Sequence, residues 1–359
     1  MVKQTIEVGL GERSYPIAIG PGVLSQIGGL LKTAGIAGRY GIISDDRVAA
    51  LYGNTVLAAL VENGVRADLF TFPHGEASKC LQTVEELAGR LAASGFDRTS
   101  GLIALGGGVV GDITGFLASI YMRGIPFVQI PTSLLAQVDS SVGGKTGVDL
   151  TQGKNLIGTF YQPRAVYIDT EVLQTLPEEE FLGGMAEVIK YGASIDADFF
   201  HWLREQRDAI VALDPAVIVP MIRRCCEMKA AVVEQDEQES GLRRILNFGH
   251  TIGHAVEAVS GYALNHGFAV AIGMRAVAEL AVRSGRASSA TAEQIEALLH
   301  LYGLPVAIPA QYDRAALRQF MRADKKASNG RLVFVLPVAL GKVDITDRID
   351  EAALDAVLA

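Results

Sequence analysis

Leu102-Ile103-Ala104-Leu105-Gly106-Gly107-Gly108-Val109-Val110-Gly111-Asp112 decides the class of this chain. The apolar run reads as a short buried strand, the glycines as a tight turn, and Val109 to Tyr121 as a helix. The first amides of such a helix lack intrahelical partners, and with the helix dipole they favour a phosphate. Gly106, Gly108 and Gly111 satisfy GxGxxG formally. Two features separate the motif from the ordinary dinucleotide fingerprint: it lies outside the first βαβ unit, and the following strand, Pro126 to Ile130, offers no acid to a ribose. We read it as a variant pyrophosphate site, with Asp45, at the end of an earlier strand, as the acid for the ribose. Glycines that serve the turn alone are the competing reading.

The same alternation extends on both sides. Thr5 to Val8 and Tyr15 to Ile19 read as a hairpin. Strands follow at Arg39 to Ser44, Asp68 to Phe72 and Ala165 to Asp169, with helices at Asp46 to Glu62 and Lys79 to Ser94. Strands alternating with helices predict a parallel sheet covered on both faces. Beyond about Asp169 helical periodicity takes over as far as Gly303, and the later strand candidates are Arg331 to Leu336 and Val343 to Ile345. The expected organisation is an α/β nucleotide-binding domain of Rossmann type over 1–172 and a mostly helical domain over 173–359.

Composition limits the partners. A net charge of −8 argues against nucleic acid or an anionic membrane surface, either of which would want a basic face. The apolar stretch from Gly101 to Met122 is interrupted by Asp112 and rich in glycine, so it is a poor bilayer span. Three cysteines make no disulfide framework, and Met-Val-Lys-Gln-Thr-Ile-Glu has no signal-peptide pattern. The expectation is a cytoplasmic protein.

The helical half carries the metal chemistry. Asn247-Phe248-Gly249-His250-Thr251-Ile252-Gly253-His254, with His266 beyond it, holds three of the six histidines. Histidines four apart share a helix face and can hold a divalent metal or relay a proton. HExxH fails, because no glutamate stands between His250 and His254, which disfavours a metalloprotease of that kind. Glu187 and Lys190 lie three apart in an apolar helix, as a salt bridge or, if Glu187 faces the histidines, as part of a three-ligand metal site. Val142-Gly143-Gly144-Lys145-Thr146 resembles the end of a P-loop but has Asp139 where the first glycine should stand, so Lys145, with Lys154 and Asn155, reads as a phosphate grip without ATPase chemistry. In the charged run Asp236 to Arg244, which has the composition of a solvated face, Arg243 is a candidate for a substrate carboxylate.

Taken together, GGGVVGD (106–112), YMRG (121–124), PTSLLAQVDSSVGGKTGV (131–148), GKN (153–155), AEVIKYG (186–192), LNFGHTIGH (246–254) and DKK (324–326) resemble the 3-dehydroquinate synthases, one branch of the sugar phosphate cyclases. The resemblance covers almost the whole chain. It implies NAD in the cleft between an α/β and a helical domain, and zinc or cobalt on Glu187, His250 and His266, with His254 left as a proton relay. NAD would meet Asp45, Glu76, Lys79, the Gly107-Gly108-Val109 turn, Asp112, Thr132 and Ser133, with Lys145 and Lys154 close to it. An anionic sugar phosphate acid would meet Asp139, Lys145, Asn155, Lys190, Lys229, Arg243, Asn247, His254 and Lys325, and Arg123 would reach the partner subunit of a homodimer. The family pattern has His-Gly-Glu where this chain has His266-Gly267-Phe268, which bears on what supports His266. It has threonine where this chain has Ser133.

The implied reaction is that of a carbon-oxygen lyase acting on phosphates, in aromatic amino acid biosynthesis. In 3-deoxy-D-arabino-heptulosonate 7-phosphate the C6 proton is not acidic until C5 is a ketone, so NAD takes a hydride from C5. Phosphate then leaves, the hydride returns, and ring opening with aldol closure gives 3-dehydroquinate. Another sugar phosphate cyclase, or a metal-dependent polyol dehydrogenase of similar architecture, is the alternative reading; the second would not need Arg123, Lys145, Lys154, Lys229, Arg243 and Lys325.

Overall fold

In the computed structural model the strand ending at Gly106 lies within a seven-stranded sheet; residues 4–323 and 332–359 are described. Lys325, with the rest of Asp324-Lys325-Lys326, lies outside the described residues. The strands of the first part are β1 (Gln4–Val8), β2 (Tyr15–Gly20), β3 (Arg39–Asp45), β4 (Arg66–Phe72), β5 (Gly101–Gly106), β6 (Phe127–Pro131), β7 (Lys145–Leu150), β8 (Gly153–Phe160) and β9 (Val166–Asp169). The sheet order is β1-β2-β9-β6-β5-β3-β4, with β1 antiparallel to β2 and the other pairings parallel.

Side chains alternate across the adjacent strands β3 and β5, and each set closes a separate core. Ile43, Leu102 and Ala104 face one core, and Ile42, Ile103 and Leu105 face the other. The helix Asn54–Glu62, which follows β3, packs into the second core through Val56, Ala59 and Leu60. The helices Leu81–Ala93 and Gly108–Ile120 pack into the first. The chain therefore leaves β3 and β5 towards opposite faces of the sheet. That is a topological switch point, where the carboxyl ends of adjacent parallel strands open a crevice for a ligand. Asp45 ends one of these strands and Gly106 the other.

The strand reading passes from Pro126 to Ile130 straight to Ala165 to Asp169, and the structure adds a hairpin between them. Lys145–Leu150 and Gly153–Phe160 form an antiparallel hairpin apart from the main sheet, with Lys145 opposite Phe160. Its glycines and polar residues blur the period-two pattern that reveals a strand. Thr146 and Thr159 share a hydroxyl hydrogen bond of 3.0 Å across the pair instead.

The chain groups into two compact units, Met1–Leu176 with Pro215–Glu234, and Pro177–Asp214 with Gln235–Ala359. The partition differs from a single cut at 172/173, because the helix Pro215–Gln235 groups with the sheet rather than with its sequence neighbours. Cys226 Sγ lies 3.3 Å from the Gln137 carbonyl, and Glu234 accepts a 2.6 Å hydrogen bond from the Gly9 amide. The second unit is built from helices, chief among them Glu178–Ser194, His250–Val259 and His266–Arg283, with a hairpin of β10 (Phe334–Ala339) and β11 (Lys342–Thr346). Among the described residues no helix is long and apolar enough to cross a membrane.

Candidate active site

In the second unit, the helix Glu178–Ser194 begins with three glutamates, where the helix dipole favours negative charge, and is buried throughout from Gly183 to Ser194. Glu187 (0% exposed) and Lys190 (1%) are thus two charges in an apolar helix. Lys190 Nζ contacts Glu187 Oε2, but neither carboxylate oxygen of Glu187 is satisfied by a hydrogen bond. Glu187 Oε1 lies 3.6 Å from His250 Nε2 and 3.6 Å from His266 Nε2. These separations are too long for hydrogen bonds. They fit donors around one tetrahedral cation, for which bonds of about 2.1 Å place neighbouring donors about 3.4 Å apart. Ligand atoms of Glu187, His250 and His266 all lie within 4.8 Å of one another.

Local sequence brings these three together. Gly267 is close enough to the neighbouring helix that a Cβ there would sit 2.0 Å from the Gly183 carbonyl oxygen. Gly183 is one turn before Glu187 on the same face, so the approach of Gly267 carries His266 to the carboxylate. Asn265 starts the His266 helix by accepting the Gly267 amide at 2.9 Å. Gly249, at φ 82°, turns the chain into the helix that His250 opens. Each histidine is also held at its far nitrogen. His250 Nδ1 lies 3.2 Å from the Phe248 carbonyl, and His266 Nδ1 lies 3.1 Å from Glu257 Oε2. Both arrangements leave Nε2 for the shared centre. Burial opposes a charge on His266, but Glu187 and Glu257 outweigh it and raise its pKa to about 9.

His254 is one turn beyond His250. Its ring centroid is 5.2 Å from that of His250 and 5.8 Å from that of His266, beside the three-residue cluster but not part of it. Just upstream, Asp236 organises a turn that the sequence reads as a solvated face. Its carboxylate accepts from the Ser240 amide (2.8 Å) and hydroxyl (2.9 Å), the Gly241 amide (2.7 Å) and the Arg243 amide (2.9 Å). Arg243 is buried with its guanidinium on the Glu237 carbonyl, and Asn247 donates to Glu239 at 2.6 Å.

The first unit holds the residues expected around a nucleotide. Gly107 caps the helix Gly108–Ile120 without a side chain. A Cβ on Gly107 would lie 3.4 Å from Ser133 Oγ, and one on Gly108 would lie 3.2 Å from Ser140 Oγ. Glycine here leaves the helix amides open to a bulky anion, and Val109 continues that first turn. Thr132 is buried and joins the strand ends through a 2.9 Å bond from its amide to Gly106 O. Asp45 caps the next helical turn, accepting from the Val48 amide at 2.9 Å. Lys79 is buried, with Nζ 2.6 Å from Asp112 Oδ2 and 2.6 Å from Asn155 Oδ1. Burial works against its charge, yet Asp112 and Glu76 hold its pKa above the usual value. Lys154 pairs with Glu76 at 3.1 Å.

Lys229, from the helix Pro215–Gln235, donates to the Asp139 carbonyl at 2.6 Å and contacts its carboxylate. Lys145 is exposed at the start of β7. Arg123 is exposed in a turn where both it and Met122 have positive φ, 67° and 51°. Sequence reasoning missed Glu257 and Asp236. Glu257 was detectable as a carboxylate seven residues after His250 and three after His254, on their helix face, whereas Asp236 was hidden among charges.

Comparison with known proteins accords with this geometry. Residues 69–183 match the family described as 3-dehydroquinate synthase N-terminal, and residues 184–327 match 3-dehydroquinate synthase C-terminal. The 3-dehydroquinate synthase of Desulforamulus reducens is 48% identical over 355 residues, 99% of each chain. A solved 2-epi-5-epi-valiolone synthase from Streptomyces hygroscopicus subsp. jinggangensis 5008, with NAD+ and Zn2+ bound, has a TM-score of 0.89 at 30% identity, over 98% of this chain and 97% of its own. A solved 2-deoxy-scyllo-inosose synthase complexed with carbaglucose-6-phosphate, NAD+ and Co2+ has a TM-score of 0.87 at 27% identity, over 99% of both chains. With both halves of the chain matched and near-full-length identity of this order, the chain belongs to the 3-dehydroquinate synthase family.

Proposed function

We propose that this protein converts 3-deoxy-D-arabino-heptulosonate 7-phosphate to 3-dehydroquinate and phosphate, using NAD and a divalent zinc or cobalt ion. The observation that carries the reading is the buried carboxylate of Glu187, whose Oε1 lies 3.6 Å from two imidazole nitrogens. When bound, NAD supplies a hydride acceptor that is later a hydride donor, and the metal supplies a Lewis acid for neighbouring substrate oxygens.

The chain's own residues bind, orient and move protons. Glu187, His250 and His266 hold the cation, and three protein ligands leave room for substrate. His254 stands beside them to pass a proton from a substrate hydroxyl. Arg243 and Lys229 are buried cations suited to the substrate carboxylate; Lys229 is held on Asp139, and Asn247, held on Glu239, offers the substrate a further hydrogen bond. Lys145 and Asn155 take the phosphate end, and Lys190 meets the substrate from beside Glu187. The turn at Gly107, Gly108 and Val109 receives the pyrophosphate, Asp45 the ribose, and Glu76, Lys79, Asp112, Thr132, Ser133 and Lys154 the rest of the dinucleotide.

We further propose a cytoplasmic homodimer. None of the three cysteines is in a disulfide, in keeping with a reducing compartment. Ile120, Met122 and Phe160 are exposed apolar side chains close in sequence to Arg123 or to Lys154, in keeping with a covered face there.

The test is catalytic use of NAD. With substrate in excess and NAD well below it, many turnovers per NAD release phosphate and dehydroquinate while the reduced-nicotinamide absorbance stays flat. A rise of NADH matching product one for one would replace this reading with a polyol dehydrogenase.

A further inference from the structure

We infer that Glu257 is the positioning residue for the metal ligand His266, an inference that rests on the metal-dependent reading above. Glu257 is 4% exposed on the helix His250–Val259, and its Oε2 lies 3.1 Å from His266 Nδ1. An imidazole that donates Nδ1–H to a carboxylate has its tautomer and ring plane set, and its Nε2 becomes a better donor to a cation. His266 needs that support more than His250 does. It opens its helix and its side chain is 34% exposed, against 10% for His250, so less packing holds the ring. The following helix offers no substitute, because Phe268 is apolar and side chains two apart on a helix do not face each other. Glu257 and His250 stand on one helix face, so a single element supplies one ligand directly and orients another.

The geometry also separates Glu257 from the ligand set. Its partner is the far nitrogen of His266, while Glu187 Oε1 lies on the Nε2 side of both rings. Loss of Glu257 should therefore weaken and distort metal binding without removing a ligand.

The experiment titrates metal-free protein with Zn2+ against a chromophoric chelator, records the visible ligand-field spectrum of the Co2+ form, and follows thermal melting of the metal-free protein. We expect E257A to bind Zn2+ about 10- to 100-fold more weakly, with an altered Co2+ spectrum, while still unfolding cooperatively without metal. E257Q, which keeps an acceptor oxygen and loses the charge, should recover part of that affinity. His250→Ala serves as the control for the site itself. If His250→Ala loses metal while E257A binds as tightly as the parent with the same Co2+ spectrum, the role of Glu257 is overturned and the proposed function stands. If His250→Ala also binds as the parent does, the metal site falls, and this inference with it. Should E257A fail to fold, Glu257→Asp decides: the same charge one methylene further away weakens binding if Glu257 orients His266, and unchanged affinity overturns the role.

Discussion

Gly267 and Gly183 meet backbone to backbone, so that a Cβ on Gly267 would lie 2.0 Å from the Gly183 carbonyl oxygen. The contact fixes how near the His266 helix comes to the helix carrying Glu187. Gly267→Ala should push the two apart. We expect a loss of about 1–3 kcal/mol of stability, as for overpacking of a tight core, together with weakened metal binding. Thermal melting and zinc content of the purified variant measure the two effects.

His250→Ala and Glu187→Ala should both abolish turnover and lose most of the metal, but they should differ in stability. Removing Glu187 takes the carboxylate from Lys190, 1% exposed, and breaking a buried pair from one side costs about 3–5 kcal/mol. His250→Ala leaves no comparable charge. Elemental analysis together with denaturant unfolding separates the two variants, and retained metal in both would remove the site.

Lys145→Ala should impair substrate binding or phosphate release and spare NAD affinity. Its charge is exposed at the start of β7. A charge-assisted contact to phosphate contributes about 1.5–3 kcal/mol, or about one to two decades in the affected constant. Calorimetry with each ligand decides, and a fall in NAD affinity alone would contradict the assignment.

Asp236 predicts a pH dependence. Burial alone would raise its pKa, but the amides of Arg243, Gly241 and Ser240 outweigh it and hold the carboxyl far below the usual range. A carboxylate with a lowered folded-state pKa adds stability above its unfolded value of about 3.9, and that stability is lost as pH falls through the folded value. Asp236→Asn should therefore melt below the parent at neutral pH, with the gap narrowing below about pH 3.9. Because the same turn carries Arg243, substrate KM should rise as well. An equal gap at neutral and strongly acidic pH would show that the charge is not responsible.

Much of this was legible from residues alone, where the physics is local. A strand, glycines and a helix start in sequence specify the strand–turn–helix at Gly106–Gly108, and strand–helix alternation specifies a parallel sheet, because each follows from backbone geometry over a few residues. The motif pattern, from GGGVVGD to LNFGHTIGH, carried the resemblance that the family matches confirm. Histidine spacing selected His250 and His254 as neighbours on one helix face, since 3.6 residues per turn is a property of any helix. Only the tertiary structure could set apart Glu187, His250 and His266 by geometry, because their ligand atoms meet through a helix–helix approach that depends on two glycines 84 residues apart in number, Gly183 and Gly267. Asp236 looked like surface charge and is a buried turn centre, because the amides that satisfy it belong to a loop whose shape no periodicity encodes. Glu257 became visible when its helix was placed against His266, since a carboxylate has no role until the structure brings it a partner.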